Sequence, residues 1–146
     1  MRNWQLLAML LFVSSCQRPA VREQNAEALI IETLQQETRY FCERNLLKWE
    51  EQWSKQPFVS KMYTGNTEFK EFSGWEAIRQ NTVDHIRDYP DPIPLPEVDL
   101  AYTVTVFGET ALVLYAKMGE QGPIRETRFM VNEGEKWKIA RMQTIH

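Results

Sequence analysis

Few side chains in this sequence can do chemistry, and Arg128 heads them. It stands mid-strand in IRETRFMVN among apolar residues, and a guanidinium taken out of water there must be paired or held for an anion. Period-two alternation puts Glu126 on the same face. Two readings follow. In one, a salt bridge to Glu126 or to a helix carboxylate closes Arg128. In the other, Glu126 satisfies part of the fork, and the remaining donors face a ligand with a carboxylate, phosphate or other electron-rich oxygen. Tyr102 and Tyr115, on neighbouring strand stretches, either present hydroxyls to that ligand or pack. Trp49, which shares a helix face with Trp53, is core or pocket wall. His85, one of two histidines, is a weak candidate for acid or base catalysis. Its helix shows no Ser, Cys or carboxylate partner fixed by spacing, and Asp84 and Asp88 read as solvated charges. Cys42, in an apolar helical neighbourhood with no His or Cys at ligand spacing, reads as a buried, inert thiol. No metal and no cofactor is expected.

The elements that must position these groups begin with the last third of the chain. VDLAYTVTVFG, TALVLYAKM, IRETRFMVN and KWKIARMQTI are dense in β-branched and aromatic residues, which suit a pleated, half-buried surface. Turn residues separate them: Gly108-Glu109, the stretch from Gly119 to Pro123, and Asn132-Glu133-Gly134-Glu135. Such short connections predict an antiparallel meander. Leu112 to Ala116, apolar at successive positions, predicts a central strand covered on both faces.

Ahead of the meander, residues 25–54 are rich in good helix formers. Ile30, Leu34, Thr38, Phe41, Asn45, Trp49 and Trp53 recur along one face, and Asn25 can cap the start. About 28 helical residues would reach roughly 42 Å, longer than a small domain is wide, so a bend near Asn45 is expected. Short strands follow at 58–63 and 68–72. Ser73 with Glu76 three positions on spells a capping box for a helix over 74–88, with Trp75, Ile78, Thr82, His85 and Ile86 on its inner side. The proline-rich run 89–96 is an extended crossover.

Length and charge set bounds. One domain suits 146 residues, and a net charge of −3 without dense Lys and Arg clusters speaks against nucleic acid. Five tryptophans can fill a substantial core. At the N-terminus Arg2 precedes an apolar run, Leu6 to Val13, too short to span a bilayer. It closes on Val13-Ser14-Ser15-Cys16, which resembles the bacterial lipobox, whose cysteine is acylated and becomes the mature N-terminus. The resemblance implies a signal peptide over 1–15, a lipidated tether over 16–24, a domain over 25–146, and membrane attachment through Cys16. Gln17 in place of Asp implies the outer membrane of a Gram-negative envelope. The bland alternative is an ordinary cleaved signal peptide.

The order of elements, with Phe72-Ser73-Gly74-Trp75-Glu76-Ala77-Ile78 opening a helix, and with Glu126-Thr127-Arg128-Phe129 and Gly134-Glu135-Lys136-Trp137-Lys138-Ile139 closing the sheet, resembles the nuclear transport factor 2-like, or SnoaL-like, cone fold. The ending is also similar to the association domain of calcium/calmodulin-dependent kinase II. The resemblance implies an α+β, cystatin-like domain: a long N-terminal helix and shorter helices packed in a strongly curved, mainly antiparallel sheet around a conical pocket, with homodimers common. Positions that carry ketosteroid-isomerase chemistry in that family fall on Gly65-Asn66, Glu37 and Arg125, which lack the required groups. Histidines frequent on the last strand are replaced by Arg141 and Gln143, and an Asp near the end of the long helix by Asn45. The family spans enzymes and binding or assembly modules, so the function rests on the residues themselves, which point to a lipid-anchored binding module with pocket residues Arg128, Tyr102, Tyr115, Trp49 and Glu126. The alternatives are a SnoaL-like enzyme using His85, Tyr102 or Arg128 on a small organic substrate, and an assembly role.

Overall fold

A computed structural model describes residues 18–65, 67–96, 100–119 and 122–146. Cys16 and the expected signal peptide therefore lie outside the described residues, as do Val98 and Asp99 of the first expected meander strand.

Helix α1 runs Arg18–Cys42, earlier than Asn25. Pro19 falls in its first turn, where a missing N–H costs nothing, so Asn25 is an interior residue instead of a cap and residues 18–24 are helical. The expected break is present. Arg44 takes a left-handed φ of 61°, and Asn45 Oδ1 accepts the Lys48 amide at 3.3 Å to open α2, Leu46–Glu50. One helix thus becomes two, and Trp49 and Trp53 turn back toward the core. On α1 the buried residues among those described are Ile30, Thr33, Leu34, Glu37 and Cys42, and Thr38 is only half-buried, so Glu37 takes the inward place expected of Thr38.

Strands β1, Ser60–Thr64, and β2, Phe69–Ser73, form a hairpin. Helix α3, Trp75–Asp88, follows. Its N-cap is Gly74 at φ 84°, with no side-chain cap bond. Ser73 ends β2 and its hydroxyl donates to Glu71 Oε1, so the capping box does not form. The chain needs a positive φ to turn from strand to helix here, and the Gly74 amide is spent on Val59 O at 2.8 Å.

The meander is β3, Thr103–Phe107, β4, Thr110–Gly119, β5, Gly122–Glu133, and β6, Lys136–Ile145. The six-stranded sheet has the order β2-β1-β6-β5-β4-β3. Every pairing is antiparallel except β1 with β6. That parallel pair joins residues some eighty positions apart in sequence and bends the hairpin onto the meander. A register shift at Phe129/Met130 adds a bulge, which sharpens the sheet's curvature. Beside it the chain leaving α2 docks on β6: Ser54 N donates to Ile139 O and Ile139 N to Gln52 O, both at 2.9 Å.

Helices α1 and α3 fill the concave side, α1 against β6 and β3 and α3 against β1 and β2. Ile30, Leu34, Trp49, Trp53, Ile78, Val113, Met130, Trp137 and Ile139 make the core. Only one face of β4 is covered. Ala111, Val113 and Tyr115 are buried while Leu114 is 44% exposed, because both helices lie on the same side. The two-sided cover expected for Leu112 to Ala116 is therefore absent.

Candidate functional site

Strand register sets the concave face in two rows. One runs Phe72, Lys61, Met142, Arg128 and Val113 across β2, β1, β6, β5 and β4. The next runs Lys70, Tyr63, Thr144, Glu126 and Tyr115. Both rows carry charge into the cone, and the helices above add Glu37, Trp49, Asn81, Thr82 and His85.

At the β5 end the expected residues meet. Arg128 points inward and is 3% exposed. Its Nη2 lies 2.9 Å from Glu126 Oε2, and its Nε donates to the Tyr115 hydroxyl at 3.2 Å. Glu126 Oε1 also meets Lys117 Nζ at 2.8 Å. Tyr102 packs on Tyr115 with ring centroids 5.0 Å apart. Burial opposes charge on Arg128, but Tyr115 and Glu126 overcome it and hold the guanidinium protonated. Burial likewise pushes Glu126 up, and Arg128 and Lys117 more than offset it, leaving the carboxyl below its ordinary value. Four of the five expected pocket residues thus form one network, and Arg128 Nη1 alone of its nitrogens has no partner among the described residues. Trp49, the fifth, stands in the helix layer, its indole donating to Glu37 Oε1 at 2.8 Å and its ring stacked on Trp75.

A cavity of about 400 Å³ opens between the end of α1, α3 and the β1–β2 hairpin, within the size range of small-ligand sites. Phe41, Phe72 and Tyr63 form its apolar walls, and Lys61, Asn81 and His85 bring polar atoms to it. At its rim Lys70 pairs with Glu68 at 2.6 Å, beside Gly65 and His146. The network residues Arg128, Tyr102, Tyr115 and Glu126 are not in this lining, nor is Trp49; His85 is.

Lys61 joins the two regions and was missed in the sequence. It is the buried lysine of the chain, 6% exposed. Its ammonium donates to Asn81 Oδ1 at 3.3 Å and Thr82 Oγ1 at 3.5 Å, and it lies 5.3 Å from the Tyr63 ring centroid and 5.9 Å from that of Trp49. Among the described residues no carboxylate stands within ion-pair distance. Burial pulls its pKa down to about 8, with Glu37 and Glu126 opposing and Arg128 assisting the fall. The available signal was parity: Val59, Lys61 and Tyr63 alternate on one face, and a lysine between two apolar side chains faces in or the strand does not bury that face.

His85 is held by ring contacts with Phe41 at 5.2 Å and Tyr89 at 5.1 Å. Burial, then Arg44 and Lys61, lower its pKa, so the imidazole is neutral at pH 7. Cys42 is buried, and that burial raises its thiol pKa. Among the described residues no group of His, Cys, Asp and Glu is arranged to hold a metal, and no helix is long and apolar enough to cross a membrane.

The fold is the nuclear transport factor 2-like, cystatin-like cone. Similar solved structures include a dehydratase candidate of that family from Streptomyces avermitilis, at 11% identity and TM-score 0.65, covering 84% of this chain and 96% of that one. A nuclear transport factor 2-like protein with a cystatin-like fold from Novosphingobium aromaticivorans matches at 15% identity and TM-score 0.59, covering 92% and 91%. A ketosteroid isomerase candidate from Parabacteroides distasonis matches at 14% identity and TM-score 0.56, covering 80% and 84%. No family model matches the sequence, and no curated protein matches it.

Proposed function

We propose that this chain is a lipid-anchored binding module of the cell envelope that takes a small ligand with an apolar or aromatic body and an anionic end. The ligand occupies the cavity between α1, α3, β1 and β2, its body against Phe41 and Phe72 and its anion toward Lys61. One observation carries this reading: a buried ammonium facing a cavity, met by two neutral acceptors at hydrogen-bond distances of 3.3 and 3.5 Å and by no carboxylate among the described residues. A buried cation without a counter-ion is costly, and an anionic ligand removes that cost. Arg128 supports the site from behind, since its own charge is matched by Glu126.

Anchorage rests on Arg2, the apolar run to Val13 and the lipobox-like Val13-Ser14-Ser15-Cys16. The sheet's outer face, with Phe107 60% and Leu114 44% exposed, suits a second copy of the chain and a homodimer.

Isothermal calorimetry with 3-phenylpropanoate, an aromatic carboxylate, tests the binding site. Saturable binding is expected, with Lys61→Met at least about 1.4 kcal/mol weaker, a factor of ten. Absence of binding to the wild type, or equal affinity in the variant, overturns the reading.

A second reading, a SnoaL-like isomerase, cyclase or hydrolase acting on a small organic substrate, draws on the neutral His85 in the same cavity. The dehydratase and ketosteroid isomerase candidates among similar structures fit such a role. Turnover that vanishes in His85→Gln with ligand affinity kept would favour it.

A further inference from the structure

We infer that Lys61 is a nucleophilic amine that condenses with the carbonyl of a small 2-oxo acid or aldehyde held in this cavity. The inference rests on the binding reading above and adds the substrate class and a covalent step.

The geometry separates Lys61 from every other lysine of the chain. Lys48, Lys55, Lys70 and Lys136 are exposed, and Lys117, half-buried, is committed to Glu126 at 2.8 Å. Lys138 is half-buried and gives its ammonium to Glu51 O. Lys61 alone is buried, flanked by Tyr63 and Trp49 rings and turned to the cavity. The carboxylates nearest in the cone are engaged elsewhere: Glu37 accepts from Trp49, and Glu126 from Arg128 and Lys117. Arg128 lies two strands away in the same row, with Met142 of β6 between them, and its charge adds to the lowering of the Lys61 pKa. A lysine desolvated among aromatics, with a second cation nearby, is the arrangement that frees an amine for attack on a carbonyl. The lowered pKa of about 8 agrees with that arrangement.

The step balances without an oxidant or reductant. The neutral Lys61 amine attacks the carbonyl carbon; the carbonyl π pair moves to oxygen, which takes a proton, giving a carbinolamine. Loss of that hydroxyl as water leaves a protonated imine. In sum, one lysine ammonium and one carbonyl give one iminium and one water. His85, neutral and in the same cavity, can take the proton from the attacking nitrogen and return it to the departing hydroxyl. Asn81 and Thr82, which already accept from Lys61, hold the nitrogen in place.

Reductive trapping tests this. The full chain is incubated with 3-phenylpyruvate and cyanoborohydride, and the adduct is mapped by peptide mass. Exposed Lys55, whose pKa is also lowered to about 8, serves as an internal control for basicity alone. The expected result is Lys61 labelled at least about ten times faster than Lys55, with labelling suppressed by 3-phenylpropanoate, which has the same skeleton without the keto group. Labelling of Lys55 or other lysines at rates equal to Lys61 overturns the inference, as does no label at Lys61. If 3-phenylpropanoate binds and Lys61 stays unlabelled, the condensation fails and the binding reading stands. If neither occurs, both fail. The mapping uses the wild type, so it does not depend on a variant folding; Lys61→Arg is expected to lose the adduct as a further check.

Discussion

Single side chains carry the electrostatics of this cone. Arg128 and Glu126 form a buried pair whose separation is expensive, because removing one partner strands the other's charge. Arg128→Met is therefore expected to cost about 3–5 kcal/mol in urea unfolding. Adding Glu126→Gln should recover part of that loss, and a double variant no more stable than Arg128→Met would contradict the coupling. Glu126 also has a pH signature. Its folded pKa is depressed, so its contribution is present above the ordinary carboxylate range and is lost as pH falls through the folded value. Lys61 works in the opposite window. Its pKa is about 8 when folded against the ordinary 10.5, so the unfolded chain binds more protons between those values and stability rises with pH across them. Glu37 from α1, Trp49 from α2, Asn81, Thr82 and His85 from α3, Tyr63 from β1, and Glu126 and Arg128 from β5 surround the ammonium or act on it. Relative to Lys61→Met, the wild type should gain on the order of 3 kcal/mol from pH 8 to 10.5. A flat difference across that range would mean that the amine is solvated.

At the scale of elements, the meander was the most legible part. Dense Val, Thr, Tyr and Phe between turn residues defined β3 to β6, and parity put Glu126 on the same face as Arg128. Trp137 is 5% exposed, so Trp137→Ala should cost about 3–5 kcal/mol; a loss below roughly 1 kcal/mol would mean that the indole is not packed as described. What stayed hidden follows from long-range placement. Lys61 occupies a five-residue strand whose burial depends on parallel pairing with β6 and on α3 closing above it, and neither is written in local pattern. The capping box at Ser73 misled for a local reason: a strand end and a helix start compete for the same residue, and the left-handed Gly74 settles it for the strand. The helix start at Arg18 escaped because tether and helix share Val, Arg, Glu and Gln.

For the whole molecule, one-sided helices and a one-sided sheet leave the convex face open. Leu114→Glu should therefore shift any dimer to monomer in analytical ultracentrifugation, while the fold, which does not use that face, keeps its unfolding midpoint. A dimer indifferent to this change would place the interface elsewhere. At the other end, Cys16→Ser should release the protein from detergent-extracted membranes or leave its precursor uncleaved. A wild type that is freely soluble, with an unlipidated N-terminus, would contradict the anchor. The cavity where β1 and β2 meet α3 was half legible: His85, named from residue type, lines it, Lys61 also lines it and was not named, and the Arg128 network lies outside its lining.

The location of the ligand is the point on which the functional account turns. A heteronuclear NMR titration with 3-phenylpropanoate reads it directly, residue by residue. Saturable shifts should concentrate at Lys61, Phe72, Asn81 and His85, with Arg128, Tyr102 and Tyr115 nearly still. Shifts centred on Arg128, Tyr102 and Tyr115, or none that saturate, would contradict the assignment of this cavity as the binding site.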